Sequence, residues 1–284
     1  MRFIAPARET IDPAVFERPP LVHWDEFADL LRGPWPDIAA LNARMRDSSA
    51  PRFVAQTPKL LADGLHYEQR IATRGEIATR AGSWHDLLNA LIWLRFPQLK
   101  QALNARQVGE IAQVGAKQRS RAQCALTHFD EGGVVVLLRD PDLLTLWDAH
   151  DWHGLFWKQR SAWSDGRIGA IVFGHALLEH ALRPEQLLVG KALVVVTSQS
   201  ENVQSAARSM AQAIHAGEVL NDPQELRPLP LSGIPGWRAD NAEEQFYCAA
   251  PCFRSRRAGR SYPPALQNFP QGAATWPSPS PPVR

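Results

Sequence analysis

The chain reads as an α+β protein: one mostly helical domain with a small sheet, plus an extended proline-rich C-terminal segment. Three observations point there. Residues 83–113 carry apolar side chains at helical spacing. The runs "VVVLLR" and "KALVVVTS" are short, β-branched and bounded by turn residues, as strands are. Residues 262–284, "YPPALQNFPQGAATWPSPSPPVR", lack periodicity and are crowded with Pro and Ser.

In chain order, residues 1–19 are a loose lead-in, 20–258 the single α+β domain and 259–284 a disordered tail. "WDEFADLLRG" predicts a short helix closed by Gly33, and "DIAALNARMR" another with Asp37 as N-cap. "RFVAQTPKLL" and "HYEQRIATRGEIATR" fit strand, turn and irregular chain alike. In 83–96, Trp84, Leu87, Leu88, Leu91 and Leu94 fall on one helix face. Pro97 then ends this helix and opens the next, making an elbow; Leu99, Ala102, Leu103 and Arg106 share a face beyond it.

A third helix runs through "SRAQCALTHF", "DEGG" reads as a turn, and Val134 begins a strand. Asp140-Pro141 has the form of an N-cap followed by a first-turn proline. The strand "RIGAIVF", helix "GHALLEHAL" and strand "KALVVVTS" predict a βαβ crossover with parallel strands. A helix around "ENVQSAARSMAQAIHAG" and an extended cover strip, "PLPLSGIPGW", follow.

Composition narrows the function classes. The 284 residues are 45% hydrophobic and 21% charged, the balance of an ordinary globular protein. A formal net charge of +2 does not indicate a nucleic-acid or membrane partner. Cys124, Cys248 and Cys252 form no disulfide framework or zinc set, so they read as free thiols in a reducing, cytoplasmic setting. The first twenty residues contain no signal-peptide core, and no apolar run approaches a membrane span.

Four stretches, "WHDLLNALIWLRFPQLKQALNARQ", "ALTHFDEGG", "FGHALLEHAL" and "PLSGIPGW" (followed by "FY" and "FR"), together resemble a bacterial family catalogued as domain of unknown function 3025. The resemblance implies a cytoplasmic domain covering most of the chain and brings no activity with it. Cys248-Ala249-Ala250 stands where the family pattern implies acidic residues.

Three polar groups qualify as chemistry. In "SWHDLLN", Ser83 caps the helix and Asp86 suits its first turn, whereas His85 and Asn89 share a face off the leucines, a spacing that Lys100 and Asn104 repeat. That face lines a cleft at the elbow or meets water; if a cleft, it looks toward Asp130 or His175. In "THFDEGG", Asp130 and Glu131 suit metal ligation or general-base work, or form a charged turn. In "GHALLEH", His175 and Glu179 at i, i+4 suit a metal or acid/base pair, or satisfy each other.

Two hypotheses follow. In the first, His85, Asp86, Asn89, Asp130, Glu131, His175 and Glu179 converge on one pocket, with a divalent metal activating water for hydrolysis. In the second, the protein is a non-catalytic binder or scaffold. Its partner, or single-stranded nucleic acid, would meet the tryptophans of "DAHDWHGLFWKQRSAW" or the basic cluster Arg254, Arg256, Arg257 and Arg260. The tryptophan stripe has core packing as its simpler explanation. Nucleotide-binding glycine loops, HExxH and GxSxG are absent from the sequence.

Overall fold

The structure, a computed structural model, describes residues 3–46, 50–115, 118–197 and 202–267. It is mainly helical, with a five-stranded sheet and a separate pair of strands. The expected tail beyond residue 267 lies outside the described residues.

Before the first α-helix, Val15 and Phe16 are already buried in the core. Helices α1 (Ala28–Arg32) and α2 (Ile38–Ala43) follow, α2 capped by the Asp37 side chain as its sequence predicts. The ambiguous stretch resolves into β1 (Arg52–Ala55), α3 (Pro58–Leu61), α4 (Tyr67–Arg74) and β2 (Glu76–Thr79). β1 and β2 pair in parallel, so a crossover unit exists here, where periodicity alone gave no decision. Gly75 adopts the left-handed conformation that closes α4 and turns the chain into β2.

α5 (Trp84–Arg95) and α6 (Pro97–Val114) meet at Phe96, with Pro97 opening α6. Leu87, Leu88 and Leu91 are buried as expected, but so are Ala90, Ile92 and Trp93, because α5 is enclosed on nearly all sides. α7 (Arg121–Gly132) starts with a full capping box between Ser120 and Gln123. It extends through Asp130, Glu131 and Gly132, so "DEGG" is its last turn rather than a free turn. The carboxylates therefore lie on a helix end.

β3 (Gly133–Leu138) is buried at every position, which explains its unbroken apolar sequence. α8 (Leu143–Ala149) begins two residues later than Asp140-Pro141 suggests; Asp140 instead accepts from the Asp142 backbone and pairs with Arg167. A π-helical turn (His153–Lys158) and α9 (Arg160–Ser164) carry most of the tryptophan-rich stretch. Trp147 and Trp152 are buried there, and Phe156 stacks on Trp152 and Trp163.

β4 (Ile168–Val172), α10 (His175–His180) and β5 (Val189–Val196) come next. The expected crossover with parallel outer strands does not form. β3 lies between β4 and β5, antiparallel to the first and parallel to the second. The connection through α10, residues 173–188, carries the chain past β3 to its far side, where β5 pairs in parallel with β3 and not with β4. α11 (Val203–Ala216) packs on α6 and β3. β6 (Arg227–Pro230) extends the sheet antiparallel to β5. After α12 (Glu244–Ala249), the short β7 (Leu266–Gln267) pairs with the end of β5.

Candidate functional site

The antiparallel pairing of β3 and β4 sets Val134 opposite Val172. The residues just before β3 therefore meet those just after β4. Phe173 and Gly174 both donate their backbone N–H to Gly133 O, at 2.9 and 2.8 Å. Gly174 permits this contact: a Cβ there would sit 2.4 Å from Gly133 N and 2.5 Å from Glu131 O. The end of α7, with Asp130 and Glu131, is thereby held against the start of α10, with His175.

α5 packs against α10 and supplies His85. Ser83 Oγ accepts from the Asp86 N–H at 3.3 Å and starts the helix. The His85 and His175 Nε2 atoms lie 3.1 Å apart, with the rings nearly perpendicular. Glu131 Oε2 is 3.5 Å from His175 Nε2. His85, Glu131 and His175 each offer one donor atom, all within 4.8 Å of one another. Tetrahedral zinc with metal–nitrogen bonds of 2.0–2.1 Å needs donor atoms roughly 3.4 Å apart. The spacing fits a single small divalent ion.

Two further carboxylates stand behind these donors. Glu179 Oε2 is 3.0 Å from His85 Nδ1. Such a contact fixes the ring and, with the proton on Nδ1, turns the Nε2 lone pair toward the centre. Asp130 Oδ2 lies 3.9 Å from His175 Nδ1, beyond hydrogen-bond length, and that nitrogen has no hydrogen-bond partner. The expected pairing of His175 with Glu179 on one helix thus gives way to a cross-helix pair, Glu179 with His85. Glu179 has the spacing to meet His175, but α5 brings it a donor, the His85 Nδ1–H, at 3.0 Å.

Asn89 and Lys100 meet across the Pro97 elbow. Lys100 Nζ donates to Asn89 Oδ1 at 2.9 Å and to Asp130 Oδ1 at 2.6 Å, and Asn89 Nδ2 donates to Tyr67 OH at 2.8 Å. Asn104 donates to the Glu68 backbone and carboxylate. Asp86 also borders the cleft, but its carboxylate is taken by the Arg80 backbone and guanidinium. The whole cleft holds about 500 Å³.

Electrostatics separate the groups. Burial lowers the His175 pKa to about 3, so its imidazole is neutral at pH 7. The hydrogen bond to Glu179 raises that of His85. Burial alone would raise Asp130, but the charge and hydrogen bond of Lys100 outweigh it and hold the carboxyl below its usual range. Burial raises Glu131. Burial raises Tyr67 and Glu68 as well, with the Glu68 charge adding to the first and Asp130 to the second.

Of the residues singled out by sequence, His85, Glu131 and His175 form the donor set. Asp130, Glu179 and Asn89 support it, and Asp86 does not reach it. The sequence left Tyr67 and Glu68 unmarked. His66 and Gly75 bracket α4 and could have revealed a helix, yet its direction toward Asn89 depends on packing between distant segments.

None of the described helices is long and apolar enough to cross a membrane. No curated protein and no solved structure matches the chain. One family model does, over residues 51–257, a span that contains His85, Glu131, His175 and Glu179. The chain belongs to that family, described as protein of unknown function (DUF3025).

Proposed function

We propose that the protein is a metal-dependent hydrolase whose single divalent ion is held by His85, His175 and Glu131. The observation that carries this reading is the convergence of two imidazole nitrogens and a carboxylate, with Glu179 behind His85. Two His and one carboxylate leave a fourth position open and form a ligand set of catalytic zinc. When bound, the ion supplies a Lewis acid that lowers the pKa of a coordinated water toward neutrality.

The chain's own residues supply the rest. Glu179 orients His85. Lys100 keeps Asp130 ionised beside His175 Nδ1, on the side of the ring away from the donor atom. Asn89, Tyr67, Asn104 and Glu68 give the cleft hydrogen-bonding walls suited to a polar substrate. Three free cysteines support a reducing, cytoplasmic setting.

The test is a zinc titration of the chelator-stripped protein, with hydrolysis of p-nitrophenyl acetate and p-nitrophenyl phosphate followed in parallel. One equivalent of zinc should bind to the wild type and at least tenfold more weakly to His175→Ala and Glu131→Ala. Hydrolysis should appear only in the zinc-loaded wild type. Zinc binding unchanged by both substitutions, or no binding at all, refutes the metal site. Tight, substitution-sensitive binding with neither ester cleaved counts against the hydrolase.

A further inference from the structure

A second cavity, of about 690 Å³, lies away from the donor set, between β5, β6 and the strip 251–262. Its composition is one-sided. Lys191, Arg254, Arg257 and Arg260 line it, and among the described residues no Asp or Glu does. In a chain with 31 basic and 29 acidic residues, four cations and no lining carboxylate make this cavity a local excess of positive charge, with Asp222 near Arg260 just outside it. The remaining wall is largely apolar and includes Val189, Leu226, Pro228 and Pro230.

The basic strip is fixed in place. Trp152 Nε1 donates to Arg254 O at 2.8 Å, and His150 Nδ1 lies 3.1 Å from the same oxygen. His150 Nε2 is 2.8 Å from Tyr262 OH, and the buried Arg227 donates to Pro263 O at 2.7 Å. His150 holds a left-handed backbone conformation (φ 57°), uncommon for a residue with a side chain, while making these contacts. Arg260 lies over the Tyr262 ring at 4.6 Å. Burial and the nearby Arg260 charge lower the Lys191 pKa, and burial and the Lys191 charge lower that of His128, which also lines the cavity. Lys191 and Arg260 feel each other's charge in a cavity that Arg254 and Arg257 also line, on an anchored scaffold.

We infer that this cavity binds a phosphorylated small molecule, with the phosphoryl group among Lys191, Arg254, Arg257 and Arg260 and the apolar remainder against the Pro228–Pro230 wall. Arginine is suited to phosphate because its planar fork donates two parallel hydrogen bonds. The volume lies in the range of small-molecule sites. This inference is independent of the metal site.

The probes are adenosine monophosphate, adenosine, and a fifteen-residue oligothymidylate, titrated calorimetrically into the full chain. The monophosphate should bind with one-to-one stoichiometry, at least tenfold more tightly than adenosine. Binding should weaken at least tenfold in Arg254→Ala/Arg257→Ala, whose exposed side chains can be removed without opening the core, and again in Lys191→Met. It should be unchanged in His175→Ala. Equal binding of adenosine, no binding of the monophosphate, or affinity unaltered in both cation variants overturns the inference. So does tight binding of the oligonucleotide alone, which would make the face a single-stranded nucleic-acid surface.

Discussion

Replacing Gly174 with Ala tests how the donor set is assembled. Gly174 has φ −66° and ψ 117°, a conformation any residue adopts, so the substitution brings no backbone strain. The obstacle is space. The added Cβ would lie 2.4 Å from Gly133 N and 2.5 Å from both Glu131 O and Gly132 Cα. All three are backbone atoms that cannot rotate aside, so the junction between α7 and α10 must open by roughly 1 Å to reach ordinary contact distance. Overpacking of this kind costs about 1–3 kcal/mol, and the absence of a flexible neighbour favours the upper end. Reduced freedom of the unfolded chain returns about 0.4–1 kcal/mol. The net expectation is a loss of about 2 kcal/mol, or a fall in Tm of about 3 °C for a chain of 284 residues. The same opening separates His175 from Glu131, so zinc affinity should fall at least tenfold. Thermal denaturation and zinc titration of the variant measure both, with Gly169→Ala as control, since a Cβ there meets nothing within 4 Å. A Tm within 1 °C of wild type together with unchanged zinc affinity would refute the claim that this close approach sets the site.

Other outcomes follow from the same structure. Lys100→Met leaves Asp130 without its cation in a buried setting and should cost about 3–5 kcal/mol in chemical denaturation; adding Asp130→Leu should recover most of it. Full additivity of the two losses would rule out the coupling. Asp86→Ala removes the acceptor of the Arg80 backbone N–H and guanidinium and should cost about 2 kcal/mol by the same assay. Gly109→Ala, in the exposed middle of α6 with free space for a methyl, should stabilise by about 1 kcal/mol. In metal-free buffer, the lowered pKa of His175 contributes stability that is complete above pH 6.5 and lost as pH falls toward 3. The slope from this group is about 1.4 kcal/mol per pH unit. His85, shifted upward, keeps its contribution throughout that window and loses it only as pH rises through its folded value. His175→Gln should flatten the acid limb between pH 6 and 4, and an unchanged slope would contradict the assignment.

The sequence revealed elements better than it revealed neighbours. Helical spacing in 83–113 located α5, the Pro97 elbow and α6, because those signals are local. It also separated His85 and Asn89 from the leucine face. Strand order was not legible: β4, α10 and β5 have the pattern of a crossover, and only the insertion of β3 between the two strands decides otherwise. Nor could spacing show that Glu179 would turn to His85 rather than His175, since the choice depends on where α5 lies. The Gly132–Gly133 pair looked like turn chemistry, yet Gly132 ends α7 and Gly133 is there for close approach, since a Cβ on it would lie 2.2 Å from Phe129 O. The basic residues at 254–260 resembled a fraying end because their anchors, His150 and Trp152, are a hundred residues away.

The last turns of α7 face in two directions. Thr127, Asp130 and Glu131 border the cleft with the donor set, whereas His128 borders the cationic cavity. The two cavities are therefore coupled through these turns. Any opening of these turns exposes both together, so the exchange protection of their amides sets one clock for the integrity of two sites.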